Sequence, residues 1–200
     1  ETLWSQHVAL AAENFTAVSG AVGSALNLAR VNADRYNYTA AIRLARQALE
    51  WTAADADDAI KLAARSGLAL WLGEAGQLVE AIAMYRALLD DRTRILGPDH
   101  PDTLTTRGNL AYLFGKAGRT DEAIEQFTAL LEDQTRILGP DHPGTLAARS
   151  NLAVWLGEAG RVDDAIEQFT ALLEDQTRVL GPDNPHTLTS RNSLAHWLGE

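Results

Sequence analysis

Histidine recurs at a fixed spacing along the chain, and this residue type could bind a metal or transfer protons. His100 and His142 lie 42 residues apart, but the next corresponding position holds Asn184. A zinc site would not accept an amide in place of an imidazole, whereas a helix N-terminus accepts either side chain as a cap. We therefore predict helix caps at these positions and no metal site.

Neighbouring carboxylates also recur, and such pairs can serve general acid–base catalysis. They are Asp90–Asp91, Glu132–Asp133 and Glu174–Asp175. Because every copy carries the pair at the same position, we interpret these residues as a solvated face. No nucleophile–histidine–acid arrangement stands out, and the LGEAG segments lack the Lys-Ser/Thr that follows a phosphate-binding loop. The sequence therefore predicts neither an enzyme nor a cofactor.

Arginine and tryptophan recur as well, with one arginine in each copy at Arg65, Arg107, Arg149 and Arg191. The helical wheel places these arginines at the seam between two helices, opposite Asp or Glu of the adjoining helix. A ladder that binds an acidic ligand is the alternative. Trp71, Trp155 and Trp197 share a position that holds Leu113 in the remaining copy. Exchange between Trp and Leu is typical of a packing site, so we favour packing over an aromatic ligand platform.

These spacings come from an internal repeat. Residues 97–138 and 139–180 are identical at 31 of 42 positions, and residues 181–200 hold the first helix of a truncated fourth repeat. Residues 55–96 form a divergent first repeat. Residues 1–54 are expected to hold N-terminal helices with one degenerate repeat, of which residues 1–19 look helical but match no unit. A fixed period of this length indicates a solenoid.

Each repeat is divided into two helices by its own start and stop residues. The first helix is predicted to begin near Pro101, Pro143 or Pro185, because proline fits the first helical turn. It ends at a glycine such as Gly118, and the second helix begins around Asp121 or Asp163. Both helices carry apolar residues at three- and four-residue steps. Since neither helix can bury this stripe alone, neighbouring repeats must stack.

The segment NLAYLFGKAGRTDEAIEQFTALL resembles a tetratricopeptide repeat. The family's spacing is met by Leu110, Ala111, Phe114, Gly118, Ala123 and Phe127. The 42-residue unit is similar to the repeats of kinesin light chain and of many bacterial multidomain proteins. The resemblance implies an all-α fold, namely a right-handed superhelical solenoid of antiparallel helix pairs whose first helices line a concave groove.

Residues 97–138 and 139–180 are the two most similar copies, which we call the two best copies. Eight of the 11 differences between them lie in or just before the first helix. We interpret this divergence as a sign of a binding surface, and neutral drift of exposed positions is the alternative. The residues expected to bind a peptide are Leu70, Glu74, Asn109, Tyr112, Lys116, Asn151, Val154, Glu158, Asn192 and His196. Their mixture of apolar, amide and charged groups favours an extended peptide with apolar anchors and some positive charge.

Composition narrows the class of partner. The net charge is −10 and the acids are spread over every repeat, which argues against nucleic acid and anionic membranes. Cysteine is absent, which fits a reducing compartment, so we expect a cytoplasmic protein. The predicted function is a protein- or peptide-binding scaffold module of a larger bacterial signalling or regulatory protein. The alternatives are self-association through the truncated C-terminal repeat and a sensor of a small ligand or signalling peptide.

Overall fold

The computed structural model describes residues 20–51 and 58–199, and its regular structure is entirely helical in these ranges. The expected helix in residues 1–19 lies outside the described residues, as does part of the expected boundary between residues 1–54 and 55–96. The described helices are α1 (Gly20–Ala33), α2 (Tyr38–Trp51), α3 (Asp58–Glu74), α4 (Leu78–Leu96), α5 (Pro101–Lys116), α6 (Thr120–Leu138), α7 (Pro143–Glu158), α8 (Val162–Leu180) and α9 (Pro185–Leu198). None of them is both long and apolar enough to cross a membrane.

The helices belong to two compact units, Glu1–Gly97 and Pro98–Glu200. In the first unit, α1 packs on α2, α2 on α3, and α3 on α4. In the second unit, each of the helices α5 to α9 packs on the next one along the chain. The first helices α5, α7 and α9 also contact one another in sequence. This arrangement confirms the predicted all-α fold of helix pairs.

The helices α5, α7 and α9 begin at the predicted prolines, and each is capped by the residue before. The Nδ1 atom of His100 accepts a hydrogen bond from the backbone N–H of Asp102 at 3.1 Å. His142 accepts one from Gly144 at 3.0 Å, and the Oδ1 atom of Asn184 accepts one from the N–H of His186 at 2.9 Å. Imidazole and amide therefore cap the helix in the same way, which confirms the predicted caps. In the described parts of the chain, no three potential metal ligands come together.

A glycine in the left-handed conformation closes the first helix of each clear repeat. Gly118 has φ +77°, and the N–H of Arg119 behind it donates to the carbonyl of Phe114 at 2.9 Å. Gly76 and Gly160 adopt the same conformation. Only three residues separate the two helices at each of these turns, so the helices of a pair run antiparallel.

Small residues let the paired helices approach. Ala111 of α5 and Ala123 of α6 are both fully buried, and Phe127 fills the space beside them together with Leu104 and Leu130. The next repeat builds the same core from Leu146, Ala153, Phe169 and Leu172. The predicted apolar stripes are thus the stripes that the structure buries.

Candidate functional site

One arginine of each complete first helix forms an ion pair with an aspartate of the second helix of the same repeat. The pairs are Arg65–Asp91 at 2.5 Å, Arg107–Asp133 at 2.7 Å and Arg149–Asp175 at 2.6 Å. The guanidinium groups are partly buried at the seam between the helices. The predicted position at the seam is therefore confirmed for these three arginines, and their charge is already compensated. No acidic ligand is therefore required to neutralise these arginines.

The interpretation of the carboxylate pairs as a solvated face needs correction. It holds for the first member of each pair, since Asp90, Glu132 and Glu174 are exposed. The second members accept hydrogen bonds from the seam arginines, and these bonds lower the pKa of Asp91, Asp133 and Asp175. A carboxylate held in its charged form by a guanidinium is a poor general acid or base near neutral pH. The recurring pairs are structural.

The tryptophans pack between first helices. The indole of Trp155 on α7 lies against Gly115 on α5, and the indole of Trp197 on α9 lies against Gly157 on α7. A Cβ atom at either glycine would lie well under 3.0 Å from the ring. Trp71 of the first unit is buried as well. The predicted packing role is confirmed, but the glycine that accepts the ring was not anticipated.

The predicted ligand-binding residues of the second unit partly cluster beside these indoles. Tyr112 meets Trp155 edge to face with 5.9 Å between ring centroids, and the Nζ atom of Lys116 lies 5.6 Å from the centre of the Tyr112 ring. On α9 the ring of His196 lies 4.9 Å from that of Trp197. We call the first-helix surface the set of partly or fully exposed candidates of this unit, namely Tyr112, Lys116, Asn151, Val154, Glu158, Asn192 and His196.

Two other candidates, Leu70 and Asn109, are placed differently from what the sequence suggests, and the third, Glu74, is half-buried. Leu70 is 6% exposed and Asn109 is 8% exposed, so both side chains belong to the packed interior. Leu70 is buried because the run from Leu68 to Leu72 is covered on every side of α3. Glu74 accepts a hydrogen bond from Tyr38, and burial together with this carboxylate raises the pKa of the Tyr38 phenol.

The positions at which the two best copies differ include both buried and exposed side chains. Thr106, Leu113 and Phe114 are buried, so these differences do not lie on a ligand-facing surface. At two of these positions a Leu-Phe pair is replaced by Trp155 and Leu156, an exchange of a large and a smaller side chain that keeps the core filled. The pairs Tyr112/Val154 and Lys116/Glu158 are the differences that remain on the first-helix surface.

Comparisons with known proteins agree with the helix pairs. A family model described as tetratricopeptide repeat matches residues 61–134 and 114–174, and a second model of the same description matches residues 22–50. No curated protein sequence matches the chain. Among solved structures, the chain is similar to a Podosopora anserina protein described as a putative kinesin light chain with nearly identical TPR-like repeats. The TM-score is 0.73 at 25% identity, over 88% of this chain and 84% of that one.

A second solved structure, BtubC (BKLC) from P. vanneervenii, shares the fold with a TM-score of 0.65 at 19% identity. The likeness covers 100% of this chain and 85% of that one. The two family matches of the first model together span residues 61–174, which is more than half of the chain. The repeated helix pairs, their glycine turns and these matches lead to one conclusion: the chain belongs to the tetratricopeptide repeat family.

Proposed function

We propose that the chain is a protein-interaction scaffold that binds an extended peptide on the first-helix surface of its second unit. Tetratricopeptide repeats in general act as scaffolds for protein interactions and are typically not catalytic. The observation that carries the proposal is the contact between Tyr112 and Trp155, which brings together two aromatic rings on neighbouring first helices. Half-buried aromatic side chains of this kind are enriched at protein interfaces.

The second helices offer a contrast that supports this choice of surface. The two best copies are nearly identical along α6 and α8, whereas Tyr112 corresponds to Val154 and Lys116 to Glu158 on the first-helix surface. A surface that binds a peptide with sequence specificity needs different contacts along its length. A surface whose residues only stabilise the fold can carry the same residues in every repeat.

The chemistry of the surface indicates the class of peptide. Tyr112 and Val154 are half-buried and suit apolar anchor residues, while the half-buried Asn151 and the exposed Asn192 carry amide groups that can bond to an extended backbone. Glu158 is exposed, and the chain carries a net charge of −10, so a peptide with some positive charge is favoured. The proposed context is a larger bacterial signalling or regulatory protein in the cytoplasm, which rests on the resemblance to arrays of such proteins.

A peptide library selected on the full chain tests the proposal. We expect the selected peptides to bind the native chain and to lose at least about tenfold in affinity for the triple variant Tyr112→Ala, Asn151→Ala, Val154→Ala, since interface anchors typically contribute about 1.4 kcal/mol or more. Titration calorimetry gives the affinities, and far-UV circular dichroism shows whether helicity is kept.

The matched control is a triple variant of the exposed face of α6, namely Glu125→Ala, Thr128→Ala, Glu132→Ala. It should bind the same peptides with unchanged affinity. Equal binding by the native chain and the first-helix variant, or a loss shared equally by the control, would remove the assignment to this surface.

A further inference from the structure

Two tryptophans at the same position of successive first helices border the first-helix surface. Trp155 of α7 packs against Gly115 of α5, and Trp197 of α9 packs against Gly157 of α7. Both indoles are half-buried, so part of each ring remains accessible. Because Trp155 is followed by a complete repeat and is half-buried all the same, this exposure belongs to the position within the repeat.

Each of these indoles meets a second ring at a steep angle. Tyr112 and Trp155 enclose an angle of 64° between their ring planes, and His196 and Trp197 enclose one of 68°. The two rings of a pair therefore form two aromatic walls that meet in a corner. We call them the Trp155 corner and the Trp197 corner. Aromatic walls of this kind are the usual contact surface for proline side chains.

The distance between the two corners follows from the packing of the first helices. The helices α5, α7 and α9 contact one another in sequence, and the axes of helices in contact lie about 8–10 Å apart. A polyproline II helix rises about 3.1 Å per residue with three residues per turn, so residues i and i+3 lie on one side and about 9 Å apart. In a β-strand, residues i and i+3 point to opposite faces. The repeat distance therefore matches a polyproline II segment better than a β-strand.

The amide side chains of the surface supply the polar part of the fit. Asn151 is half-buried and Asn192 is exposed, and neither side chain makes a hydrogen bond within residues 20–51 and 58–199. A polyproline II segment has no internal hydrogen bonds, so its carbonyl groups are free to accept, and its prolines carry no N–H. Because an asparagine amide donates two hydrogen bonds, the surface offers the donors that such a segment requires.

We propose that the two corners bind a proline-rich segment of a partner polypeptide in the polyproline II conformation, with prolines at the spacing Pro-x2-Pro. One proline packs in the Trp155 corner and the other in the Trp197 corner, while carbonyl groups of the segment accept hydrogen bonds from Asn151 and Asn192. A basic residue beside the prolines fits the exposed carboxylate of Glu158. This inference rests on the proposed function, since it names the class of peptide that the first-helix surface binds.

Three fluorescently labelled peptides of equal length and charge test the proposal on the full chain by fluorescence anisotropy. The first carries Pro-x2-Pro in a serine background with an arginine at each end. The second has leucine in place of both prolines, and the third has the prolines at the spacing Pro-x3-Pro. The first peptide should bind saturably. The other two should bind about tenfold more weakly, because the second lacks the preformed backbone and the third cannot place both prolines in the corners.

Variants of the chain locate the contact. Trp155→Leu should weaken binding of the first peptide about tenfold, and the fold should accept the change because Leu113 holds this position in the preceding repeat. Asn192→Ala, an exposed change, should weaken binding about fivefold because one hydrogen bond is lost. Trp71→Leu is the matched control, since this indole of the other unit is 2% exposed and its replacement should leave the affinity unchanged. Circular dichroism shows whether helicity is kept.

The outcomes separate this inference from the proposed function. If the proline and leucine peptides bind equally well, or if the spacing of the prolines has no effect, the proline-rich partner is overturned, whereas the peptide-binding surface stands as long as the first-helix triple variant weakens both peptides. The same holds if only peptides selected from the library bind. An equal effect of Trp155→Leu and Trp71→Leu would also overturn the inference. If the selected peptides are insensitive to the first-helix triple variant, the proposed function fails as well.

Discussion

At Gly115 the absence of a side chain makes room for the indole of Trp155, and Gly157 does the same for Trp197. The two contacts join successive first helices, so each glycine belongs to one repeat and each tryptophan to the next. Helices that meet through such a contact can pack closely without losing the buried area of the indole. The glycines, which lie in the last turn of their helices, are therefore part of the interface between repeats.

Alanine substitution at two glycines of α5 should have opposite effects on stability. Gly115→Ala forces a Cβ atom into the Trp155 ring, and we expect the overpacking to cost about 1–3 kcal/mol, more than the helix propensity gained. Gly108→Ala is the matched control, since its Cβ atom would lie 3.4 Å from the nearest atom, a methyl of Leu130. It should stabilise the chain by about 0.5–1 kcal/mol. Urea unfolding followed by circular dichroism gives both free energies.

The double variant Gly115→Ala, Trp155→Leu separates the steric cause from any other. Leucine takes the place of this tryptophan at position 113 of the preceding repeat, and it is small enough to leave space for the added methyl group. The double variant should therefore be less unstable than the sum of the two single changes. If the loss of stability in the double variant equals the sum of the losses in the two single variants, the proposed contact is contradicted.

At the scale of the helix, an ion network ties each repeat together. Asp175 of α8 accepts hydrogen bonds from Arg149 of α7 and from Arg178 of its own helix, and Arg178 also donates to Asp141 in the turn before α7. Asp133 joins Arg107 and Arg136 in the preceding repeat in the same way. The network thus links first helix, second helix and connecting turn, while the apolar stripes supply the burial.

The network should make stability depend on pH in the acid range. Hydrogen bonds from arginine lower the pKa of Asp133, Asp141 and Asp175 below that of an ordinary aspartate. A carboxyl whose pKa is lowered by folding stabilises the folded state above its unfolded pKa of about 3.9, and this contribution is lost as the pH falls through the folded value. The free energy of unfolding should therefore decrease as the pH falls from about 5 towards about 2.

The Asp175→Asn variant isolates this contribution. It should be less stable than the native chain by about 1 kcal/mol at neutral pH, because the pair is partly exposed, and the difference should shrink as the pH falls below about 4, a value near the ordinary pKa of Asp. Thr170→Ala, an exposed and non-ionisable change on the same helix, is the control and should not show this convergence. Urea unfolding at several pH values measures the effect. A constant difference between the native chain and Asp175→Asn at all pH values would contradict the assignment.

At the scale of the whole molecule, periodic residues were predictable and residues that depend on the neighbouring repeat were not. Some roles follow from the position of a residue within one helix pair and could be predicted from the sequence of a single repeat. These are the caps at His100 and Asn184 and the seam position of Arg107. The burial of Leu70 and Asn109 depends on how many neighbours surround a first helix, which one repeat does not disclose. The space above Gly115 is set by a tryptophan 40 residues later, and only the packed structure shows that the two meet.

The charge of the whole molecule should show in the kinetics of peptide binding. With a net charge of −10 the chain attracts a positively charged peptide over distances that salt screens, so the association rate constant should fall several-fold as NaCl rises from about 0.05 to about 0.5 M, while the dissociation rate constant changes less. Stopped-flow fluorescence with a peptide selected on the chain measures both rates. The same peptide with its Lys and Arg changed to Gln should associate at a rate that salt hardly changes.

Lys116→Glu should raise the association rate of the basic peptide about two- to threefold, because it removes the repelling cation from the first-helix surface and makes that position like Glu158 of the next repeat. If the basic peptide associates equally fast at every salt concentration, the preference for positive charge is wrong even where the binding surface itself is assigned correctly.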